Sequence, residues 1–251
     1  MTRRLPPRAI LFDLGDTLCT YSIPPKSRQR LLTREVEKIL RTSGAEISVH
    51  AYRVVRSRLW NEWKNAFGRR GKEFKLDQFL FHLLKTLHLK EPLISTLAWR
   101  LEDAIYRCDL SALVSVPQAQ ETVRFLRKRG YLLGVVSNSA YSYPHIVRIL
   151  KKIGVYHWLD SVVVSSTEGV AKPNPIIFRR AARRLCVPPS KIVFVGDRLD
   201  VDMLGAKKVG MKTIWKVESD GRTPARIVDV RISRLSQIPS VMETWGPIRA
   251  E

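Results

Sequence analysis

Short, nearly unbroken apolar runs recur along the chain: Ala9–Phe12, Tyr131–Val136, Ser161–Val164, Lys191–Val195, Lys212–Trp215 and Arg226–Val230. Runs of this length without polar alternation predict strands buried on both faces. Segments with helical periodicity lie between them. Gln118–Arg129 places Thr122, Phe125 and Leu126 on one stripe and stops at Gly130, a residue suited to a helix C-terminus. Pro175–Leu185 starts on a proline, which fits a first helical turn, and Leu199–Val209 stops at Gly210. Strand alternating with helix predicts an α/β fold, a doubly wound parallel sheet with helices on both faces.

Residues 23–113 follow a different pattern. Arg28–Arg41, Val49–Phe67, Asp77–Leu87 and Leu93–Arg107 have helical periodicity, no strand pattern stands out, and Gly68-Arg69-Arg70-Gly71-Lys72 breaks the region. The expected organisation is a core of residues 1–22 and 114–251 interrupted by an all-helical domain, 23–113. The crossings fall near residues 18–25, with Pro24-Pro25, and 110–117, with Pro117.

Composition narrows the classes. The 251 residues are 45% hydrophobic and 27% charged, an ordinary globular balance. No apolar run is long enough for a membrane span, and the basic N-terminus meets Asp13 too soon for a signal peptide. Cys19, Cys108 and Cys186 are isolated, which argues against a disulfide framework or zinc site and for a cytoplasmic protein. The net charge of +21 invites a polyanion reading. Its distribution does not: residues 23–113 hold 18 Lys+Arg and 10 Asp+Glu, the other 160 hold 26 and 13, and no long basic block occurs. A dedicated nucleic-acid partner is not expected. The helical stripe Arg179, Arg180, Arg183 and Arg184 reads as a solvated face. Many charges and few amides (4 Asn, 5 Gln) resemble thermophile composition.

Four polar signals stand at the C-terminal ends of predicted strands or in the loops after them, the edge where open α/β sheets bind ligands. They are Asp13-Leu14-Gly15-Asp16-Thr17, Ser137-Asn138-Ser139, Lys172-Pro173, and Gly196-Asp197 through Asp202. Each alone reads as a turn or cap; their conjunction in this order is specific.

In these residues the chain resembles the haloacid dehalogenase-like hydrolases, in the branch with a helical cap inserted after motif I of a Rossmann-like core. The resemblance implies Mg²⁺-dependent hydrolysis of a small phosphorylated substrate through an aspartyl-phosphate. Asp13 falls at the nucleophile and Lys172 at the motif III lysine. Thr17, Ser137, Asn138 and Lys172 fall where phosphate is held. Asp13, the Gly15 carbonyl, Asp197 and Asp202 fall at the metal site. The chemistry is coherent: a carboxylate attacks phosphorus, and a divalent cation and Lys172 offset the charge that opposes it.

Motif I departs from the family pattern. The phosphatases carry a second Asp two residues after the nucleophile, then Gly; here Gly15 precedes Asp16. In an extended segment Asp16 faces away from Asp13, leaving no general acid for the leaving oxygen, and slow turnover of monoesters is expected. Haloacid dehalogenases and phosphonatases of the family also lack that Asp. The acidic pair Asp197/Asp202 belongs to a metal site, which the dehalogenases do without; a phosphonatase needs a Schiff-base lysine, for which Lys26 and Lys64 are the undistinguished candidates. A non-catalytic or polyanion-binding protein is the third reading. The five histidines show no ligand spacing, Trp60 and Trp63 read as core more than cleft, and Cys19 reads as an apolar neighbour of motif I whose pKa nearby carboxylates raise.

Overall fold

In the computed structural model, which describes residues 6–217 and 226–246, the apolar runs form one parallel sheet. In chain order the elements are β1 (Ala9–Phe12), β2 (Cys19–Tyr21), α1 (Pro25–Arg41), α2 (Val49–Arg69), α3 (Leu76–Thr86), α4 (Leu93–Ala112), β3 (Leu113–Ser115), α5 (Ala119–Lys128), β4 (Leu132–Ser137) and α6 (Tyr143–Lys152). There follow β5 (Ser161–Val164), α7 (Ser165–Glu168), α8 (Pro175–Arg184), β6 (Ile192–Gly196), a π-helical turn Leu199–Met203, α9 (Leu204–Lys208), β7 (Lys212–Lys216), β8 (Val230–Ile232) and α10 (Ile238–Thr244).

The sheet order is β5-β4-β1-β6-β7-β8, every pair parallel. β1 is central, and the chain runs outward from it on both sides, so the strand order reverses there. The period of two explains why its four residues are all buried. Ile10 and Phe12 enter one apolar cluster with α5, α6 and α10; Ala9 and Leu11 enter a second with α8 and α9. Helices α1–α4 enclose a third cluster of their own, which includes Val36, Phe79, Leu83, Leu97 and Leu101. This is the α/β architecture with a helical cap expected from the pattern.

Local chemistry sets the helix ends. Asn174 accepts a hydrogen bond from the Ile176 N–H, Pro175 occupies the first turn, and Ser48 caps α2 through the Ala51 N–H. α5 stops at Gly130, whose φ of 87° suits glycine.

Three expectations need correction. The sixth strand is not Arg226–Val230 but Val230–Ile232: Asp229 marks where pairing with β7 begins, its N–H donating to the Thr213 carbonyl and its carboxylate accepting from Thr213 N–H and Oγ1. Phe125 leaves the α5 stripe; Thr122, Val123 and Leu126 are buried, whereas Phe125 is 40% exposed beneath Arg129. The stretch 23–113 does contribute to a strand, because Leu113 opens β3, which pairs antiparallel with β2 and ties the two crossings together. The arginine stripe is a solvated face as expected, with Arg179, Arg183 and Arg184 exposed and Arg180 half-buried; Arg180 and Arg184 both pair with Glu168. Among the described residues no helix is long and apolar enough to cross a membrane.

Candidate active site

The sheet brings three of the four signals to one edge directly. Asp13 leaves β1, Ser137 ends β4 and Asp197 follows β6, and β4 and β6 flank β1 on opposite sides. The Asp13 N–H donates to the Val195 carbonyl at 2.8 Å, which extends the β1–β6 ladder by one residue and fixes the start of the motif. Lys172 arrives from the loop before α8. Its Nζ donates to Asp13 Oδ1 at 2.5 Å and lies 2.7 Å from Asp202 Oδ1.

Asp202 comes from the π-helical turn, which aims its side chain back under β6. Its Oδ2 accepts from the Arg198 N–H at 3.1 Å. A Cβ at Gly196 would stand 2.5 Å from Asp202 Oδ2 and 2.7 Å from its Cβ, so glycine there is what lets this carboxylate approach. One ligand atom each from Asp13, Asp197 and Asp202 lies within 4.8 Å of the others. Asp200, between them in sequence, turns outward to Arg198. Thr17 is buried, and its Oγ1 donates to Asp197 Oδ1 at a long 3.4 Å.

These groups crowd negative charge out of water. Burial pushes the Asp13 carboxyl up to about 7; Lys172 works against that rise, and Asp202 and Asp197 add to it. Asp197 rises as well, through burial and then Asp202. Lys172 feels burial in the opposite sense, but Asp13 and Asp202 outweigh it and its pKa is raised. One ammonium therefore faces three carboxylates. Asp202 Oδ1, although beside Lys172, receives no well-directed hydrogen bond while wholly buried. The Gly15 carbonyl receives none among the described residues. An all-oxygen donor set with surplus negative charge and free oxygens fits a hard divalent cation.

Motif I is a turn, not an extended segment. Asp16 adopts φ of 53°, is exposed, and accepts a hydrogen bond from Thr20 Oγ1 at 2.9 Å. Its side chain is thus engaged outside the cluster, as expected, though through the turn and not through strand alternation. Cys19 is buried beneath, and burial, then Asp13 and Asp16, push its thiol up to about 12.

Asn138 has a role not visible in the sequence. Its side-chain Nδ2 donates to the Lys172 carbonyl at 2.9 Å, and its Oδ1 accepts from the Lys172 N–H at 2.8 Å. The amide is spent on placing the Lys172 backbone. Asn138→Ala is expected to lower kcat about five- to ten-fold, on the order of one lost charge-positioning hydrogen bond pair, with KM for an aryl phosphate changed less; steady-state kinetics checks it.

Cap and core meet around this loop. The Ala171 N–H donates to the Gly71 carbonyl at 3.0 Å and the Leu76 N–H to the Ala140 carbonyl at 3.0 Å. Ser165 Oγ joins the Ser139 N–H, at 2.8 Å, to Glu73 Oε2, at 3.2 Å. Glu73 and Ser165 escape sequence reasoning because their partners are on the other part of the fold. Trp63 packs against Phe67, Phe74 and Phe79 as expected. Trp60 packs on Phe74 and Phe79 but also lines a cavity of about 330 Å³ between the cap helices and residues 138–141.

Comparison with known proteins bears on this geometry. The haloacid dehalogenase-like hydrolase family matches residues 7–210. A glyceraldehyde 3-phosphate phosphatase of Methanopyrus kandleri is 31% identical over 210 residues, 82% of either chain. Among solved structures, a 2-haloacid dehalogenase of Pseudomonas syringae aligns with a TM-score of 0.73 at 25% identity, covering 96% of this chain and all of that one. A phosphatase of the family from Thermococcus onnurineus aligns at 0.65 and 26%, covering 97% of this chain and all of that one. With the family matched over most of its length and phosphatases among its relatives, this chain belongs to the haloacid dehalogenase-like hydrolases and is a hydrolase of phosphatase type.

Proposed function

We propose that the protein hydrolyses phosphate monoesters of small metabolites with Mg²⁺, through a phosphoryl group carried on Asp13. The observation that carries this reading is the gathering of Asp13, Asp197 and Asp202 around Lys172 at the C-terminal edge of the sheet. Asp13, Asp197 and the Gly15 carbonyl would hold the cation, with Asp202 supporting it. Mg²⁺, when bound, supplies the positive charge that offsets repulsion between the nucleophile and the phosphoryl oxygens. Thr17, Ser137, the Asn138 N–H and Lys172 would hold phosphate oxygens.

An Asp13 carboxylate oxygen attacks phosphorus, an O–P bond to Asp13 forms, and the P–O bond to the alcohol breaks. Gly15 has no side chain to protonate the departing oxygen, and the Asp16 carboxylate is bonded to Thr20. The proton comes from water. Water then attacks the phosphoryl group, inorganic phosphate leaves, and the Asp13 carboxylate is restored. Esters of acidic alcohols suit such a site best.

The dehalogenase reading shares the fold and would also use Asp13 as nucleophile, but it gives the pair Asp197/Asp202 no metal to hold. The free cysteines Cys19, Cys108 and Cys186 fit a cytoplasmic setting. The test is a panel of p-nitrophenyl phosphate, alkyl phosphates and haloacids assayed with Mg²⁺ and with a chelator. Aryl phosphate hydrolysis that falls at least about 10²-fold in chelator and returns with Mg²⁺ is expected; chelator-resistant haloacid turnover would overturn the reading.

A further inference from the structure

The last two residues of β7 reach the two loops that would hold the cation, one loop each. Trp215 stands opposite Gly196 in the parallel β6–β7 ladder, beside the residue before Asp197. Its indole Nε1–H donates to the Asp197 carbonyl at 2.8 Å. Lys216, which ends β7, sends its Nζ to the Asp16 carbonyl at 2.9 Å, in the turn that follows β1. Both side chains are half-buried.

Each bond acts on a backbone that carries an oxygen for the metal. Asp197 lies past the end of β6, and among the described residues no backbone N–H donates to its carbonyl. The indole is therefore what holds that peptide. Asp16 is in the left-handed region, φ 53°, which a residue with a Cβ keeps only when its surroundings impose it. Three bonds impose it: the Asp16 N–H donates to the Cys19 carbonyl at 2.7 Å, Oδ1 accepts from Thr20, and the carbonyl accepts from Lys216. The Gly15–Asp16 peptide is planar, so rotation about this φ turns the Gly15 carbonyl with it.

Resting on the phosphatase reading above, we infer that the end of β7 presets the cation cradle: Trp215 is a positioning residue for Asp197, and Lys216 for the Gly15 carbonyl. A cradle formed in advance needs no reordering when the ion arrives, so the two bonds are read in the affinity for the ion.

The experiment measures Mn²⁺ binding to the full-length, metal-stripped protein, from the loss of the free-ion EPR signal, with Mg²⁺ as competitor. Trp215→Phe removes the N–H and keeps a ring. Lys216→Met removes the ammonium and keeps the length, and Lys216→Arg keeps a donor. Trp215→Phe and Lys216→Met should each weaken Mn²⁺ about ten-fold, as loss of a ligand's supporting partner does. Lys216→Arg should bind nearly as the wild type does. The sign in Lys216→Met separates placing from charge, because removing a nearby positive charge by itself tightens a divalent cation. The Mg²⁺ needed for half-maximal p-nitrophenyl phosphate hydrolysis should rise in step with the Mn²⁺ dissociation constant. Thermal melting in chelator verifies folding, and Lys216→Met carries the test alone if Trp215→Phe does not fold. Unchanged or tighter Mn²⁺ binding in Lys216→Met, or unchanged binding in a folded Trp215→Phe, would overturn the inference while the phosphatase reading stands. A wild-type protein that binds no Mn²⁺ and hydrolyses no p-nitrophenyl phosphate is the separate signature of that reading's failure.

Discussion

Asp13→Asn removes phosphate-ester hydrolysis, lowering kcat by at least about 10⁴-fold, the scale seen when a covalent nucleophile is deleted. The amide keeps the shape of the carboxylate but has no charged oxygen to form the bond to phosphorus. The fold survives the change. Asp13 is buried next to Asp202 and Asp197, and its carboxyl is pushed up to about 7 by burial against the pull of Lys172. Loss of one of three crowded charges thus relieves repulsion, although Lys172 keeps only Asp202 as its anionic partner. Kinetics on an aryl phosphate paired with thermal melting separates the two effects. A variant that melts like the wild type and retains even a tenth of its rate would remove Asp13 from the chemistry.

Gly15→Asp acts in the opposite direction. A Cβ at Gly15 meets nothing within 4 Å, and the backbone there is not in the left-handed region, so a side chain is accommodated without strain. An aspartic acid at this position stands two residues beyond the nucleophile and offers the proton that the leaving oxygen lacks. General acid catalysis contributes about 10²–10⁴-fold, and a rise of at least about ten-fold on an alkyl phosphate is expected even from partial recovery. Aryl phosphates, whose leaving groups need no proton, gain little, so the dependence of rate on leaving-group pKa flattens. Asp16→Asn leaves this dependence as it is, since that carboxylate is bonded to Thr20. Selective loss of alkyl-ester turnover in Asp16→Asn would make Asp16 the acid.

What the sequence reveals and hides here has a physical basis. Strands of the central sheet are legible because both faces are buried: every position of β1, β5 and β6 is buried, and Ser161 is the one polar side chain among them. The polar residues that end them stand out for the same reason, which is why Asp13, Ser137 and Asp197 are found without coordinates. The β2–β3 ribbon is hidden: each strand is three residues long, and the partners Cys19 and Ser115 are separated by the whole cap. At the end of the sheet the Asp229 side chain, and not a backbone carbonyl, accepts the Thr213 N–H, a substitution that the apolar pattern of Arg226–Val230 does not show. Asn138 looks like a phosphate ligand in sequence, yet its amide is committed to a backbone 34 residues on. Pairings such as Arg28–Asp109 and Glu73–Ser165 depend on how cap meets core, and no local pattern encodes them.

The central claim is that the phosphoryl group passes through Asp13. Acid quenching of the Mg²⁺-loaded enzyme during turnover of p-nitrophenyl phosphate, followed by peptide mass spectrometry, tests it most directly. The account predicts one phosphoryl group on the peptide containing Asp13, formed within a single turnover, consumed as inorganic phosphate appears, and absent from Asp13→Asn. Turnover with no phosphoryl on that peptide at any quench time, or a phosphoryl group trapped on another residue, would contradict it.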